Sequence, residues 1–175
     1  MENSFKIENT SSGDLPFIFE LFDHSIRYQQ EGGYPVWKDY DQGAIIRDIE
    51  NGNQYKILVN DVVGIIFSVC YADKIIWREY DRGESVYLHR IVVNPQCKGQ
   101  KLFGKILQWT IQHAHEKGLR NIRMDTWAAN SNIIDYYKSF GFAFVEEFTT
   151  PDTPELPVHN RKLKLTLLEY KLPGS

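Results

Sequence analysis

Residues 87–107 read YLHRIVVNPQCKGQKLFGKIL, and this stretch decides the fold. Leu88, Ile91, Val92 and Val93 form an apolar run that stops at Asn94-Pro95. A short loop follows with Lys98, Gly99, Gln100 and Lys101, and then Phe103, Ile106, Leu107, Thr110 and Ala114 recur at helical spacing. The run reads as a strand over 85–93 that feeds through a basic turn into a helix over 100–117. The first amides of a helix have no partner within it and point into the preceding loop. With the helix dipole and two lysines, such a turn suits a phosphate-bearing cofactor.

Outward from this unit, Phe5-Lys6-Ile7 alternates as a first strand, and Asp14 with Pro16 opens a helix carrying Phe17, Ile18, Leu21, Phe22 and Ile26. Residues 31–35 break it, and a second helix runs over 41–49. Residues 55–59 and 62–71 form a hairpin with Asn60-Asp61 at its tip. The polar residues 72–84 read as strand ends and a loop. Past Gly118, residues 121–127 form a strand, so a βαβ crossover is expected. Asn130 caps a short helix with Ile133, Ile134 and Tyr137. Gly141 ends it, and strands over 142–148 and 162–168 enclose a proline-rich loop. This order places an α/β or α+β layer around one mixed sheet.

The 175 residues suit a single domain spanning 1–175, with a composition ordinary for a globular protein. A formal charge of −3 argues against nucleic acid as the main partner. Cys70 and Cys97 are read as reduced thiols, and no run has the length of a membrane span or a signal core. A cytoplasmic protein with no membrane partner is expected, with homodimerisation left open.

Two segments together resemble the GNAT superfamily of acyl-CoA N-acyltransferases. The first, LHRIVVNPQCKGQKLFGKIL, matches that family's hydrophobic strand, Val-x-Pro turn and pyrophosphate loop. In the second, IRMDTWAANSNIIDYYKSFGF, Asn130, Tyr137 and Gly141-Phe142 reproduce its Asn…Tyr-x-x-x-Gly-Phe ending. The resemblance implies a largely antiparallel, mixed seven-stranded sheet with a splayed parallel pair and about four helices. It further implies acetyl-CoA as co-substrate, no metal, and a small-molecule or peptide amine as acceptor. Backbone groups of Ile91 and Val93 would hold the pantetheine arm, and Lys98, Gly99, Gln100, Lys101, Leu102 and Phe103 the pyrophosphate. Asn130 would touch the arm. Tyr137 would protonate the departing thiolate, and the amine would attack directly.

The loop departs from the family pattern, with Lys101 and Phe103 where second and third small residues are usual, so the tightness of the cofactor pocket is open. A non-catalytic acyl-CoA-binding module is therefore the second reading, and a cofactor-free interaction domain the third. Gly99 to Lys105 also nearly matches a P-loop, but Ile106 stands where Ser or Thr should bind magnesium. His89 is expected on the same side of its strand as Tyr87 and Ile91. There it is either an amine-deprotonating base or a core histidine. Glu84 could act instead through a water chain, whereas Asp125 reads as a strand-end carboxylate. His113 and His115 face apart and read as solvated. Tyr28 and Trp37, with Tyr34 and Tyr40, would roof the acceptor site or close the core.

Overall fold

The structure, a computed structural model, describes residues 3–33 and 39–174. Its strands are β1 (Phe5–Asn9), β2 (Gln54–Val59), β3 (Val62–Cys70), β4 (Ser85–Val93), β5 (Asn121–Trp127), β6 (Ala143–Thr149) and β7 (Lys164–Lys171). Its helices are α1 (Leu15–Glu31), α2 (Gln42–Glu50), α3 (Lys74–Trp77), α4 (Phe103–Glu116) and α5 (Ser131–Lys138). The seven strands form one sheet in the order β1-β2-β3-β4-β5-β7-β6. Every adjacent pair is antiparallel except β4 with β5. Among the described residues, no helix is long and apolar enough to cross a membrane.

Local chemistry sets the element ends. Asn60 and Asp61 both take positive φ, 50° and 67°, as a two-residue hairpin of primed type requires. The Asp41 side chain accepts the Ala44 amide at the start of α2. Gly118, at φ 67°, ends α4 while Leu119 donates back to the Ala114 carbonyl.

Three boundaries differ from the sequence reading. Helix α4 starts at Phe103 rather than Gln100, because Gly99 and Lys101 have positive φ and keep the loop out of helical conformation. Strand β7 runs Lys164–Lys171, because Leu165–Lys171 pairs with β5 and Lys164 with Thr149 of β6. Within 72–84, expected to be irregular, lies the one-turn helix α3. It is held by Asp73 accepting the Ile76 amide and by Trp77 sunk in the core.

The sheet has two unequal faces. One is covered by α4 and α5 over a continuous core that includes Ile57, Phe67, Leu88, Phe103, Ile106, Met124 and Tyr137. The other carries two separate clusters. Ile18, Phe22, Ile45, Ile66 and Val92 pack under α1 and α2, and Trp77, Tyr87, Leu165 and Leu167 pack beside α3. Gln54 on β2 pairs with Ser68 on β3, and Ser68 pairs with His89 on β4. Cross-strand partners share a face. Ile66 and Cys70, two residues either side of Ser68 on β3, belong to the two separate clusters, so this row lies between them.

Candidate active site

The site begins where a ladder stops. Strands β4 and β5 pair only over Ser85–Tyr87 with Asn121–Arg123, yet β4 continues to Val93 and β5 to Trp127. Beyond Tyr87 and Arg123 the parallel pair has splayed, which leaves one edge of β4 unpaired. The Asn94 amide donates to the Gly64 carbonyl of β3 at 2.8 Å. By alternation, the backbone groups of Val93 and Ile91 point the other way, into the gap.

A bulge sits at this opening. The β3 register slips between Ile66, opposite Val92, and Ser68, opposite His89, and Arg90 takes φ 50°. The bulge corrects the expected side-chain pattern: Ile91 packs on the α4 face with Leu88, whereas His89 stays on the Tyr87 face. The Arg90 guanidinium reaches back to Asp48 of α2 at 2.7 Å, which fixes the bulged residue.

At the far end of β4, the Asn94 side chain accepts the Gln96 amide and donates to the Val63 carbonyl, locking the turn at Pro95. In the loop, the amides of Lys98 and Gln100 are taken up by turn bonds to Pro95 and Cys97. Those of Gly99, Lys101, Leu102 and Phe103 have no backbone acceptor among the described residues, so an anion has four donors beside a helix start. Lys101 adopts φ 53°. A lysine thus supplies the left-handed geometry that glycine would adopt without strain. Phe103 is 3% exposed and packs against Tyr136, Tyr137, Phe140 and Phe142. It is a core residue and does not block the loop.

Asn130 caps α5 by accepting the Ile133 amide at 3.2 Å. That helix buries Tyr137 on the α4 face, 4.8 Å from the Phe103 ring. Burial, helped by nearby Tyr136 and the charge of Asp125, pushes the Tyr137 phenol well above its ordinary range. It therefore stays protonated at any working pH.

On the opposite face, His89, Asp73 and Asp125 converge, each offering a ligand atom within 4.8 Å of the others. The imidazole Nε2 lies 3.4 Å from Asp73 Oδ2. Burial opposes the imidazolium, but the Asp73 bond, the neighbouring Cys70 thiol and the charge of Asp125 outweigh it and hold His89 well above its ordinary value. Burial pushes the Asp125 carboxyl up to about 6, against the pull of His89 and with the push of Asp73. Its Oδ2 is sealed from solvent without a hydrogen bond among the described residues. The gap between β4 and β5 is thus bounded by a phenol on one face and an acid–base cluster on the other.

Other expected site residues lie elsewhere. Glu84 sits before the paired start of β4, exposed and 3.7 Å from Arg120, some ~16 Å of strand from His89. Tyr28 stands at the loop, with Lys98 Nζ 3.7 Å from its ring centroid. Trp37 and Tyr34 lie outside the described residues. Tyr40 closes the core against Phe22 at 4.8 Å. His113, expected to be solvated, is half-buried, bonded to the Tyr71 hydroxyl at 2.6 Å and stacked on Trp109. A shallow concavity of about 460 Å³ along β6 and β7, lined by Gly141, Phe144 and Glu169 among others, holds none of the groups at the gap.

Asp73 was missed in the sequence because it lies in a segment without periodicity. Asp125 could have been found by alternation, since Ile122 and Met124 face the core and leave Arg123 and Asp125 on the other side.

A mixed sheet opened between two parallel strands, with an amide-rich basic turn after the first, defines an acyl-CoA acyltransferase architecture. Residues 15–142 match the model of the acetyltransferase (GNAT) family, and the chain belongs to that family. It is 26% identical over 161 residues to the uncharacterized N-acetyltransferase YesJ of Bacillus subtilis, covering 81% of this chain and 89% of that one. A GNAT-family acetyltransferase structure from Listeria monocytogenes superposes with a TM-score of 0.78 at 20% identity, over 96% of this chain and 95% of that one. The structure of yncA from Salmonella typhimurium, described with its cofactor acetyl-CoA, gives 0.67 at 21% identity over 99% and 96%.

Proposed function

We propose that this chain moves an acetyl group from acetyl-CoA to a primary amine by direct attack. The observation that carries this reading is the opposition of Tyr137 and the His89–Asp73–Asp125 cluster across the unpaired stretch of β4 and β5. Acetyl-CoA is the donor because family membership and the cofactor of yncA agree with the loop on β4. Backbone groups of Ile91 and Val93 bind the pantetheine arm as an added strand would. The free amides from Gly99 to Phe103, with Lys98 and Lys101, bind the pyrophosphate. Asn130, whose side-chain oxygen caps α5, borders the arm.

The acceptor arrives as an ammonium ion and gives one N–H proton to His89, which Asp73 orients. The freed lone pair attacks the thioester carbonyl carbon, the nitrogen loses its second proton to solvent as the carbon–sulfur bond breaks, and His89 returns its proton to solvent. The departing thiolate takes the Tyr137 proton, and the phenol recovers a proton from solvent. Products are the N-acetyl amine, CoA thiol and one released proton. His89 accepts that proton only in its neutral form, and because its neighbours hold it protonated to well above the ordinary histidine range, the acidic limb of the rate profile lies above that range.

Thermal stabilisation by acetyl-CoA, followed by thiol release with a panel of primary amines, tests the reading. Stabilisation without thiol release from any amine would leave an acyl-CoA-binding module. Absence of stabilisation would remove the cofactor assignment.

A further inference from the structure

We propose that Asp125 is the docking carboxylate for the acceptor, and that it selects amines arriving as ammonium ions over amines that are neutral in water. The inference rests on the acetyl-transfer reading and adds the chemical class of the acceptor. Asp125 lies on β5 just past the last residue paired with β4, on the face that carries His89 and Asp73. The neighbouring carboxylates already have partners. Asp73 caps α3 and faces His89, and Asp81 receives the Tyr87 hydroxyl and the Asp73 amide. Glu169 holds Arg123 at 2.8 Å, and Asp48 holds Arg90. Asp125 Oδ2 is sealed and without a hydrogen bond among the described residues.

A carboxylate buried without a donor is costly, and Asp125 Oδ2 caps no helix and holds no strand end. Its geometry makes sense when a cation enters the gap. The groups facing it are His89 from β4, Asp73 from the turn before α3, and Tyr137 from α5. With His89 charged, two carboxylates still outweigh one imidazolium, so the cluster attracts positive charge. Arg123, the cation on the same strand, is turned to Glu169 and the Tyr80 carbonyl and does not neutralise it. An ammonium placed there gives one N–H to Asp125 Oδ2 and presents another to His89 once the imidazole has lost its proton. Docking and deprotonation therefore use different carboxylates.

Cyclohexylamine and aniline have similar shape, but only the first is an ammonium ion near neutral pH. Their kcat/KM ratio should fall roughly 10- to 100-fold from the parent protein to Asp125→Asn, mainly through KM, the loss expected for a hydrogen bond to a charged group. In CoA-bound parent protein, cyclohexylamine, bound as its ammonium ion, should bind at least about tenfold more tightly than its neutral isostere cyclohexanol. An unchanged ratio with equal binding of the two isosteres overturns the proposal while leaving acetyl transfer intact. If neither amine releases thiol although acetyl-CoA stabilises the fold, the acetyl-transfer reading fails instead. Calorimetric titration of the isostere pair into CoA-bound protein then still decides the docking role. That titration also decides it should Asp125→Asn fail to fold.

Discussion

Replacing Tyr137 by Phe separates what its ring does from what its hydroxyl does. The ring is packed 4.8 Å from Phe103, 5.6 Å from Tyr136 and 6.5 Å from Phe142, and the residue is 9% exposed. The hydroxyl makes no hydrogen bond to the described residues. Deleting it leaves those contacts in place and strands no partner, so stability should change by under ~1 kcal/mol. Truncation to Ala would instead cost about 3–5 kcal/mol. If the phenol protonates the leaving thiolate, turnover of Tyr137→Phe should drop roughly 10²–10⁴-fold, some ~3–5 kcal/mol of barrier. Thiol release at saturating acetyl-CoA and amine reads the rate, and denaturant unfolding reads the stability.

A second donor sharpens the assignment. An acetyl thioester of an acidic aryl thiol departs without needing a proton, so the Phe variant should lose far less with it than with acetyl-CoA. A fully active variant, or an equal loss with both donors, would refute the acid role.

Phe103→Ala should cost ~3–5 kcal/mol in denaturant unfolding without tightening CoA, because the ring fills the core against four aromatic neighbours. Lys101→Gly should relieve about 1–2 kcal/mol of left-handed strain yet weaken CoA more than dephosphorylated pantetheine, as ligand titration would show. Equal weakening of both ligands would remove the phosphate role. Asp125 holds its proton up to about pH 6 when folded but only to about 3.9 when unfolded. The folded state binds more protons between those values, so Asp125's contribution to stability is lost as pH rises through that window. Unfolding curves should show Asp125→Asn gaining on the parent protein by up to ~1.4 kcal/mol per pH unit there, and a flat difference would contradict the burial of this carboxyl.

Local rules wrote much of this fold into the sequence. The Asn-Asp hairpin tip, the Asn130 cap and the apolar stripe of α4 each depend on neighbours a few residues away. The burial of Tyr137 on a short helix was legible from its spacing to Ile133 and Ile134 behind the Asn130 cap. What escaped depends on distant contacts. Nothing in His89-Arg90 announces a bulge, since Arg90 takes its positive φ against local preference and is held by Asp48 on another element. Asp73 caps a helix of one turn, too short for periodicity to reveal. His113 looked solvated by helical spacing, but Tyr71 and Trp109 enclose it. Glu84 precedes the first residue of β4, beside the end where β4 and β5 are still paired.

The unequal faces of the sheet explain how the chain carries a polar site at its centre. Gln54, Ser68 and His89 form a row across β2, β3 and β4, level with the gap that Asp125 borders. Both side-chain polar atoms of Gln54 and the Ser68 hydroxyl are buried without a hydrogen-bond partner among the described residues. Such atoms cost stability wherever they occur. On that face they divide what would otherwise be one apolar layer into the separate clusters under α1–α2 and beside α3. The opposite face has no such interruption, and its core runs from Ile57 on β2 to Leu168 on β7 beneath α4 and α5. One face thus supplies the cohesion that lets the other hold unpaired polar groups. Tyr137 belongs to the cohesive face and reaches the gap only because β4 and β5 part after Tyr87 and Arg123. Closing that gap by extending the ladder would add backbone hydrogen bonds and separate the phenol from the cluster it faces.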